Sequence, residues 1–501
     1  MTNGRDNTKK IIRLRFRLLY ITIFATMHGL LAQDVDPSEV DLESETLVGR
    51  SEAFYQIEST SIGTKTDMDI LDLPQSAQVL NRQLIEDQSA RVITELYRSI
   101  AGITEYSYAG VVFRGFREED SIFYDGLRGE PFGDFGVPQL FNIEQVEVLK
   151  GPSSSIYGGG SKPSGVINYV TKGPTFEESK KIQLMVGNYN LIGGNFESTG
   201  AATDKVAYRI AFNTEKEVSF RENAYERNQE LALGLLFSLS DQSNINFTLN
   251  YIEQNLGGHR IRGVPVDYEG NFLVPISFNA AEPTDFQDLK AITLQSILNH
   301  SFSESFRLRS VFRFLNNEGF QQYHEPTVRA TDRVINSMIA WEFRDQYRAS
   351  DQISLTTDLI YDFQWGQSKH TVLLGGDYYD VDSEYDYFRA RTADGVSSID
   401  LYDPQYGVDI STYDLDDRDG EGVTYNRYSF YIQDEFYFAE KWISIAGVRW
   451  DNFRDIDQSD QSEFEDSHLT PRLGLLYKSS PTTSWYANYS ESFNPRSIDE
   501  Q

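Results

Sequence analysis

From about residue 177 onward, apolar and polar positions alternate in strand-length segments separated by turns or polar loops. In residues 206–213, Tyr208, Ile210 and Phe212 fall on one side of a two-residue period, and Ala207, Arg209, Ala211 and Asn213 on the other. Residues 246–252 repeat the pattern, with Phe247, Leu249 and Tyr251 set against Asn246, Thr248 and Asn250. A strand that meets lipid on one face and a watery interior on the other carries this alternation. About fourteen such segments can be counted, the last running through Trp485-Tyr486-Ala487-Asn488-Tyr489. Tight turns such as Ser240-Asp241-Gln242-Ser243 alternate with long polar stretches near residues 257–288 and 384–425. Short turns at one rim and long loops at the other are the asymmetry of a membrane barrel. A soluble β-sandwich would also alternate, but the number of hairpins and the aromatic apolar face favour an antiparallel transmembrane β-barrel over residues 176–501.

Upstream, residues 67–175 have the mixed α/β character of a compact domain, with amphipathic patches near 80–85 and 92–100, then β-type runs and Gly-rich turns. Residues 33–66 are polar, include an acidic run over 34–45 and show little periodicity, as a flexible extension does. At the start, Lys9, Lys10, Arg13, Arg15 and Arg17 precede an apolar stretch over 18–31 that ends in Ala32 before polar Gln33 and Asp34. Residues 1–32 thus have the layout of an export signal cleaved after Ala32, with Leu30 standing where a small residue is preferred; the competing reading is a basic amphipathic helix. No later apolar run reaches the length of about 18 residues that a membrane helix needs, which excludes ordinary membrane helices and says nothing about a β-barrel.

Composition narrows the chemistry. A net charge of -31 argues against nucleic acid as a partner, since phosphate binding rests on clustered Lys and Arg. Cysteine is absent, which removes disulfides and thiolate sites. The 6 His stand scattered at positions 28, 259, 300, 324, 370 and 468 without zinc-like spacing, and no serine elbow is visible, so neither a metal centre nor a catalytic constellation is expected. Gly158-Gly159-Gly160 fits neither phosphate-binding fingerprint and reads as a structural turn. The Asp-rich stretch over 400–421 is either a divalent-cation trap or a solvated surface, and His259, Arg260 and Arg262 form either a basic spot for an anionic ligand or exposed solvated charges.

A series of short motifs runs through the α/β domain: Leu73-Pro74-Gln75-Ser76 followed by Val79-Leu80, then Ala101-Gly102-Ile103-Thr104, Phe113-Arg114-Gly115-Phe116 and Tyr124-Asp125-Gly126-Leu127. Ile143-Glu144-Gln145-Val146-Glu147-Val148-Leu149-Lys150-Gly151-Pro152 follows, then Tyr157-Gly158, and the series closes with Pro163-Ser164-Gly165-Val166-Ile167-Asn168-Tyr169-Val170-Thr171-Lys172. Pro163 and Gly165 punctuate a tight turn before a β-type run, and Gly151-Pro152 ends the preceding one. In this order the motifs resemble the plug domain of TonB-dependent outer-membrane receptors, the ferric-siderophore subfamily in particular. Ser164 departs from the glycine usual there.

The resemblance implies an N-terminal α/β plug inside the barrel, in the outer membrane of a Gram-negative bacterium, with outer-membrane lipid around it. It implies import of a ferric siderophore driven by TonB and its inner-membrane energising complex. Iron would arrive inside its chelator, so no cofactor and no enzymatic step is expected. Glu45, Thr46, Leu47 and Val48 look like the TonB box that pairs by strand addition, against the alternative of a plain linker. Tyr106, Tyr108, Phe132, Phe135 and Phe141 are candidates for the ligand-facing apex, against plug core packing. Arg114 and Lys150 match plug positions of an ionic lock, with lumen-facing Glu435 as barrel partner, against unpaired surface charges; a bidentate arginine would suit the position of Lys150 better. The rival functions are TonB-dependent import of another nutrient, such as an oligosaccharide or a cobalamin, and a passive porin-like barrel, which the plug motifs disfavour. Plugged transporters carry about 22 strands, so the chain reads as C-terminally incomplete, with open sheet edges that would prevent insertion of this piece alone.

Overall fold

The computed structural model describes residues 55–495 apart from 108–109, 119–120, 134–135, 161–162, 261–263, 268, 328–336, 418–419 and 421. The export signal, the TonB-box candidate, Tyr108 and Phe135 lie outside the described residues.

The first part of the described chain is a set of small sheets. β1 (Ser59–Thr60) pairs with β2 (Met68–Asp69). β3 (Ser76–Asn81) leads into a short helix, Arg82–Asp87, whose first turn is capped by the Asn81 side chain accepting from the Leu84 amide at 3.0 Å. β4 (Ile103–Ser107), β5 (Gly110–Phe113) and β6 (Phe116–Glu118) form a separate three-stranded sheet. β7 (Ile122–Tyr124), β8 (Leu127–Arg128), β9 (Ile143–Lys150) and β10 (Gly165–Thr171) join β3 in the order β3-β9-β10-β7-β8. Among the described residues of this sheet, only the β10 and β7 pair is parallel. Gly165 is fixed by crowding as well as by its φ of 145°, because a Cβ there would stand 2.1 Å from the Leu149 carbonyl oxygen.

Residues 59–66, counted above with the flexible extension, belong to this domain. Ile62, Thr64 and Thr66 are buried, and the backbone carbonyls of Gly63 and Thr64 are hydrogen-bonded by Arg472 and Gln433 of the barrel at 2.8 and 3.1 Å. Their polar, aperiodic sequence disguises the fact that the barrel satisfies their backbone.

The remainder is one antiparallel sheet whose strands follow each other in chain order. It runs through β11 (Ser179–Val186), β12 (Ile192–Thr203), β13 (Val206–Val218), β14 (Tyr225–Ser240), β15 (Ser243–Gly257), β16 (Phe286–Ser303), β17 (Phe306–Pro326), β18 (Met338–Trp365) and β19 (Ser368–Ala390). The short β20 (Ser398–Asp400) adds to β18 and β21 (Asp416–Asp417) adds to β19, and the path continues through β22 (Val423–Phe438), β23 (Trp442–Asp457), β24 (Glu463–Ser480) and β25 (Thr483–Ser490). With these two additions it is a 15-stranded sheet, and among the described residues β11 and β25 are the ends of the path.

The burial pattern is inverted relative to a soluble sheet. In β22, Phe430 is 63% exposed and the neighbouring Tyr431 only 5%, and the parity continues with exposed Ile432 against buried Gln433 and Glu435. The apolar face looks outward while polar side chains press on the plug. Connections of two or three residues, such as 204–205, 241–242 and 439–441, alternate with longer ones at 258–285, 327–337 and 391–422. Near the short-turn rim, ring contacts link strand to strand: Phe302 with Phe306 at 4.8 Å, Phe363 with His370 at 4.8 Å, His370 with Phe436 at 4.6 Å and Trp442 with Tyr477 at 4.8 Å between centroids. This is an aromatic girdle of the kind that marks a membrane interface.

Plug and wall share their cores. Ile85, Ile93, Leu96, Phe113 and Val146 cluster with Ile252, Leu289 and Leu315 of the barrel, while Ile62, Leu149 and Tyr157 cluster with Ile445. On the long-loop side, Val274, Phe278, Trp341, Phe343 and Ile399 form a further apolar cluster. There, buried His324 is held by Asp285 at 2.8 Å and by Tyr413 at 3.1 Å.

Candidate functional site

The Tyr124-Asp125-Gly126 motif forms the turn between β7 and β8, with Asp125 itself in the left-handed region at φ 53°. Its carboxylate accepts from the Thr171 amide and hydroxyl, each at 2.8 Å, and from Gln295 of the wall at 2.9 Å. Arg313, fully buried on β17, donates to the carbonyls of Tyr124, Leu127, Arg128 and Gly129. A single lumen arginine thereby fixes the plug's main turn, using donors that point in several directions.

A second junction is ionic. Lys65 donates to Asp377 at 3.2 Å and to the Tyr431 hydroxyl at 2.7 Å. Arg449 reaches the other Asp377 oxygen at 2.6 Å, Asp451 at 2.8 Å and the Ile156 carbonyl at 3.2 Å. Tyr431 in turn donates to Asp358 at 2.6 Å. Every charge in this buried cluster thus has a partner, as the low local dielectric demands.

The expected lock is replaced by this arrangement. Glu435 does face the lumen, but it accepts from Thr66 and, at 3.3 Å, from Gln433. Lys150 donates to Gln78 at 3.3 Å, and Arg114 is exposed, so neither cation meets Glu435. Burial and the adjacent Arg114 guanidinium hold Lys150 below the ordinary lysine range. Parity places Glu435 on the correct face; which plug group meets it depends on the folded path of residues 59–66.

Above these junctions, on the long-loop side, tyrosines and arginines of four adjacent strands share the lumen parity of Arg313, Asp358, Asp377 and Tyr431. Arg348 lies over the Tyr385 ring at 4.3 Å, Arg260 over Tyr323 at 5.0 Å, Arg427 over Tyr425 at 5.4 Å and Arg344 over Tyr387 at 5.6 Å. Glu325 pairs with Arg260 at 3.3 Å and with Arg344 at 2.9 Å, and Glu342 takes Arg391 at 2.9 Å. Stacked guanidinium and phenol groups present flat, cationic and hydrogen-bonding surfaces together.

The aromatic candidates read from the plug fare differently from this set. Phe132 is 3% exposed and packed in the core beside the wall, so it is not a ligand surface. Phe141 is half-buried beside the Lys172 ammonium at 5.5 Å, and the backbone of Tyr106 lies in β4. His259 and Arg260 do not make a free basic spot: Arg260 is paired with Glu325, and His259 lies 3.2 Å from Glu226, with burial pulling its imidazole down to about 4. Arg262 lies outside the described residues. In the acidic loop, Asp409 caps a short helix by accepting from the Ser411 amide at 3.0 Å. The vestibule pairs were missed because in three of the four the arginine and its tyrosine lie on different strands or loops; Tyr425 and Arg427 stand two residues apart on β22, where shared lumen parity could have found them.

Residues 69–166 match the family model for the TonB-dependent receptor plug domain, and residues 233–501 match the one for the TonB-dependent receptor-like β-barrel. The chain is 28% identical over 495 residues to the metal-pseudopaline receptor CntO of Pseudomonas aeruginosa, covering 93% of this chain and 68% of the relative. It is 24% identical over 465 residues to the ferrioxamine B receptor of Salmonella typhimurium, covering 87% of this chain and 64% of that one. The crystal structure of the siderophore receptor PiuA from Acinetobacter baumannii superposes with a TM-score of 0.79 at 19% identity, over 88% of this chain and 67% of that one. With its plug and its outward-facing apolar wall, the chain belongs to the TonB-dependent receptors, β-barrel proteins of the Gram-negative outer membrane.

Proposed function

We propose that this protein binds a ferric siderophore in the vestibule above the plug and imports it with energy delivered by TonB. The observation that carries the reading is the group of arginine and tyrosine pairs above the plug on the long-loop side of four adjacent strands. Aromatic faces cover a chelate while guanidinium groups and phenol hydroxyls meet its polar rim. Relatives named for ferrioxamine and structural neighbours named as siderophore receptors support it. The iron is cargo held by its chelator, so the receptor needs no cofactor of its own and no catalytic step, only binding and a plug rearrangement.

Uptake of radio-iron from a panel of ferric siderophores, in cells that carry the receptor, tests this. The expected result is energy-dependent uptake of at least one chelate, abolished by collapsing the proton gradient and by deleting residues 45–48. A folded receptor that takes up none overturns it. A second reading, import of a different metal on its chelator, is favoured by the relative named as a metal-pseudopaline receptor. Elemental analysis of the metal retained after incubation with mixed chelates separates the two.

A further inference from the structure

The charges at the upper ends of β13 and β14 are sorted by face. Glu215 and Glu230 are buried on the lumen side, while Lys216 and Arg227 are exposed on the other. The register sets Lys216 directly opposite Arg227, on the face that carries Phe212 and Leu231 lower down. These strand ends flank the connection 219–224, at the rim shared with 258–285, so the cations stand just above the apolar band on the outer side of the membrane.

Two like charges directly opposite each other in a strand pair repel. The neighbouring carboxylates do not relieve them. Glu215 and Glu217 take Arg91 at 3.5 and 3.0 Å, Glu226 lies 3.2 Å from His259, and Glu253 lies 3.6 Å from Lys290. Among the described residues, neither Lys216 nor Arg227 reaches a carboxylate, and the Arg227 guanidinium lies over the Tyr225 ring at 5.3 Å. In a chain of net charge -31 this pair is an exception, and it favours an anion from outside the chain.

Below the cations, the same face carries a groove of about 350 Å³, lined in part by Leu233, Leu235, Phe247, Leu294 and Phe312. Cross-strand pairing puts Ser296 between Phe247 and Phe312, and so small a side chain leaves a gap between two phenyl rings. From Arg227 to Leu233 is about 20 Å of strand at roughly 3.3 Å per residue, or about 14 Å of depth at a tilt of roughly 45°. That is about half the hydrocarbon thickness of a bilayer, the span of one lipid tail.

We propose that this outer face binds a phosphate-bearing glycolipid of the outer leaflet, with its phosphate between Lys216 and Arg227 and one acyl chain in the groove beside Ser296. A phosphate turns the repulsion of the two cations into charge-assisted hydrogen bonds, and the arginine fork can take two of its oxygens. The tail fills an apolar groove that a free phosphate ion would leave empty. This site lies on the opposite face of the wall from the vestibule and plays no part in holding a chelate.

Native mass spectrometry of the purified, folded receptor tests this, after equilibration in detergent micelles that hold equal amounts of an acylated glucosamine disaccharide bisphosphate and its dephosphorylated form. Wild type is expected to retain the phosphorylated lipid about tenfold over the other. Lys216→Gln/Arg227→Gln should lose that preference. Ser296→Phe should retain about threefold less of the phosphorylated lipid while still preferring it to the dephosphorylated one. Should Ser296→Phe fail to fold, as judged by heat-modifiable migration, Ser296→Leu carries the same expectation. Equal retention of the two lipids by wild type, or a preference that survives the double substitution, overturns the proposal. Displacement of the lipid by an equal concentration of inorganic phosphate would make the cations a site for a free anion and overturns it too. So does unchanged retention by the folded Ser296 variant, which would place the tail outside the groove.

Discussion

Arg313 carries a buried charge from the barrel wall to four plug carbonyls, and little else in the fold asks as much of one side chain. Arg313→Ala should cost on the order of 3 kcal/mol, because it removes the shared donor of four carbonyls in a largely buried turn. Arg313→Lys should recover only part of that, having lost the planar fork. Thermal unfolding of the folded receptor in detergent checks both, and equal stability of the alanine variant would show that the turn stands without it. Glu130 gives a pH test. Burial pushes its carboxyl up to about 8, so the folded state binds a proton that the unfolded chain releases near pH 4. That contribution is complete in acid and disappears as pH rises through about 8. Wild type should therefore lose melting temperature relative to Glu130→Gln between about pH 5 and pH 9. Parallel melting curves for the two proteins would contradict this.

At the scale of elements, alternation along a strand reports which medium each face meets. Ile432→Arg places a charge on the lipid face near the middle of β22 and should destabilise by about 2–4 kcal/mol, measured by reversible unfolding in bilayers. A neutral result would move that face away from lipid. The strands were legible because lipid and water act on each residue locally, and period-two counting needs no knowledge of the partner strand. The count of about fourteen falls between the main path and the 15 strands that include β20 and β21, which lie in the longest loop and carry no alternation of their own. The girdle was less legible: His370 stacks between Phe363 and Phe436, one on each neighbouring strand, and only register brings such rings level.

For the molecule as a whole, a net charge of -31 coexists with a local group of arginines stacked on tyrosines, of which Arg260 and Arg344 are paired with Glu325. Arg348→Ala, which strips the guanidinium from over Tyr385, should weaken binding of an anionic ferric chelate about tenfold, read by fluorescence titration. Tyr385→Ala should do the same, and the double variant little more, because each removes the same stacked pair. Unchanged affinity in both would place the ligand elsewhere.

Taken alone, the sequence determined what depends on short range: an apolar face for lipid, a polar face for the lumen, turn signals at Gly151-Pro152 and at Pro163 and Gly165, and an ordered set of motifs that specifies the plug. It also placed Glu435 on the lumen side by parity, and the buried position agrees. What only the tertiary structure decided is which groups meet across the seam. Lys65 and Asp377 stand 312 residues apart, and Arg313 and Leu127 stand 186 apart. Phe132, a plausible ligand aromatic by composition, became core because the wall brings Leu289 and Ile252 into the same cluster. The physical reason is one of range: solvent and lipid act on each residue where it stands, whereas a buried charge takes its partner from whatever the closed seam presents, and that is fixed by strand register and the path of the plug.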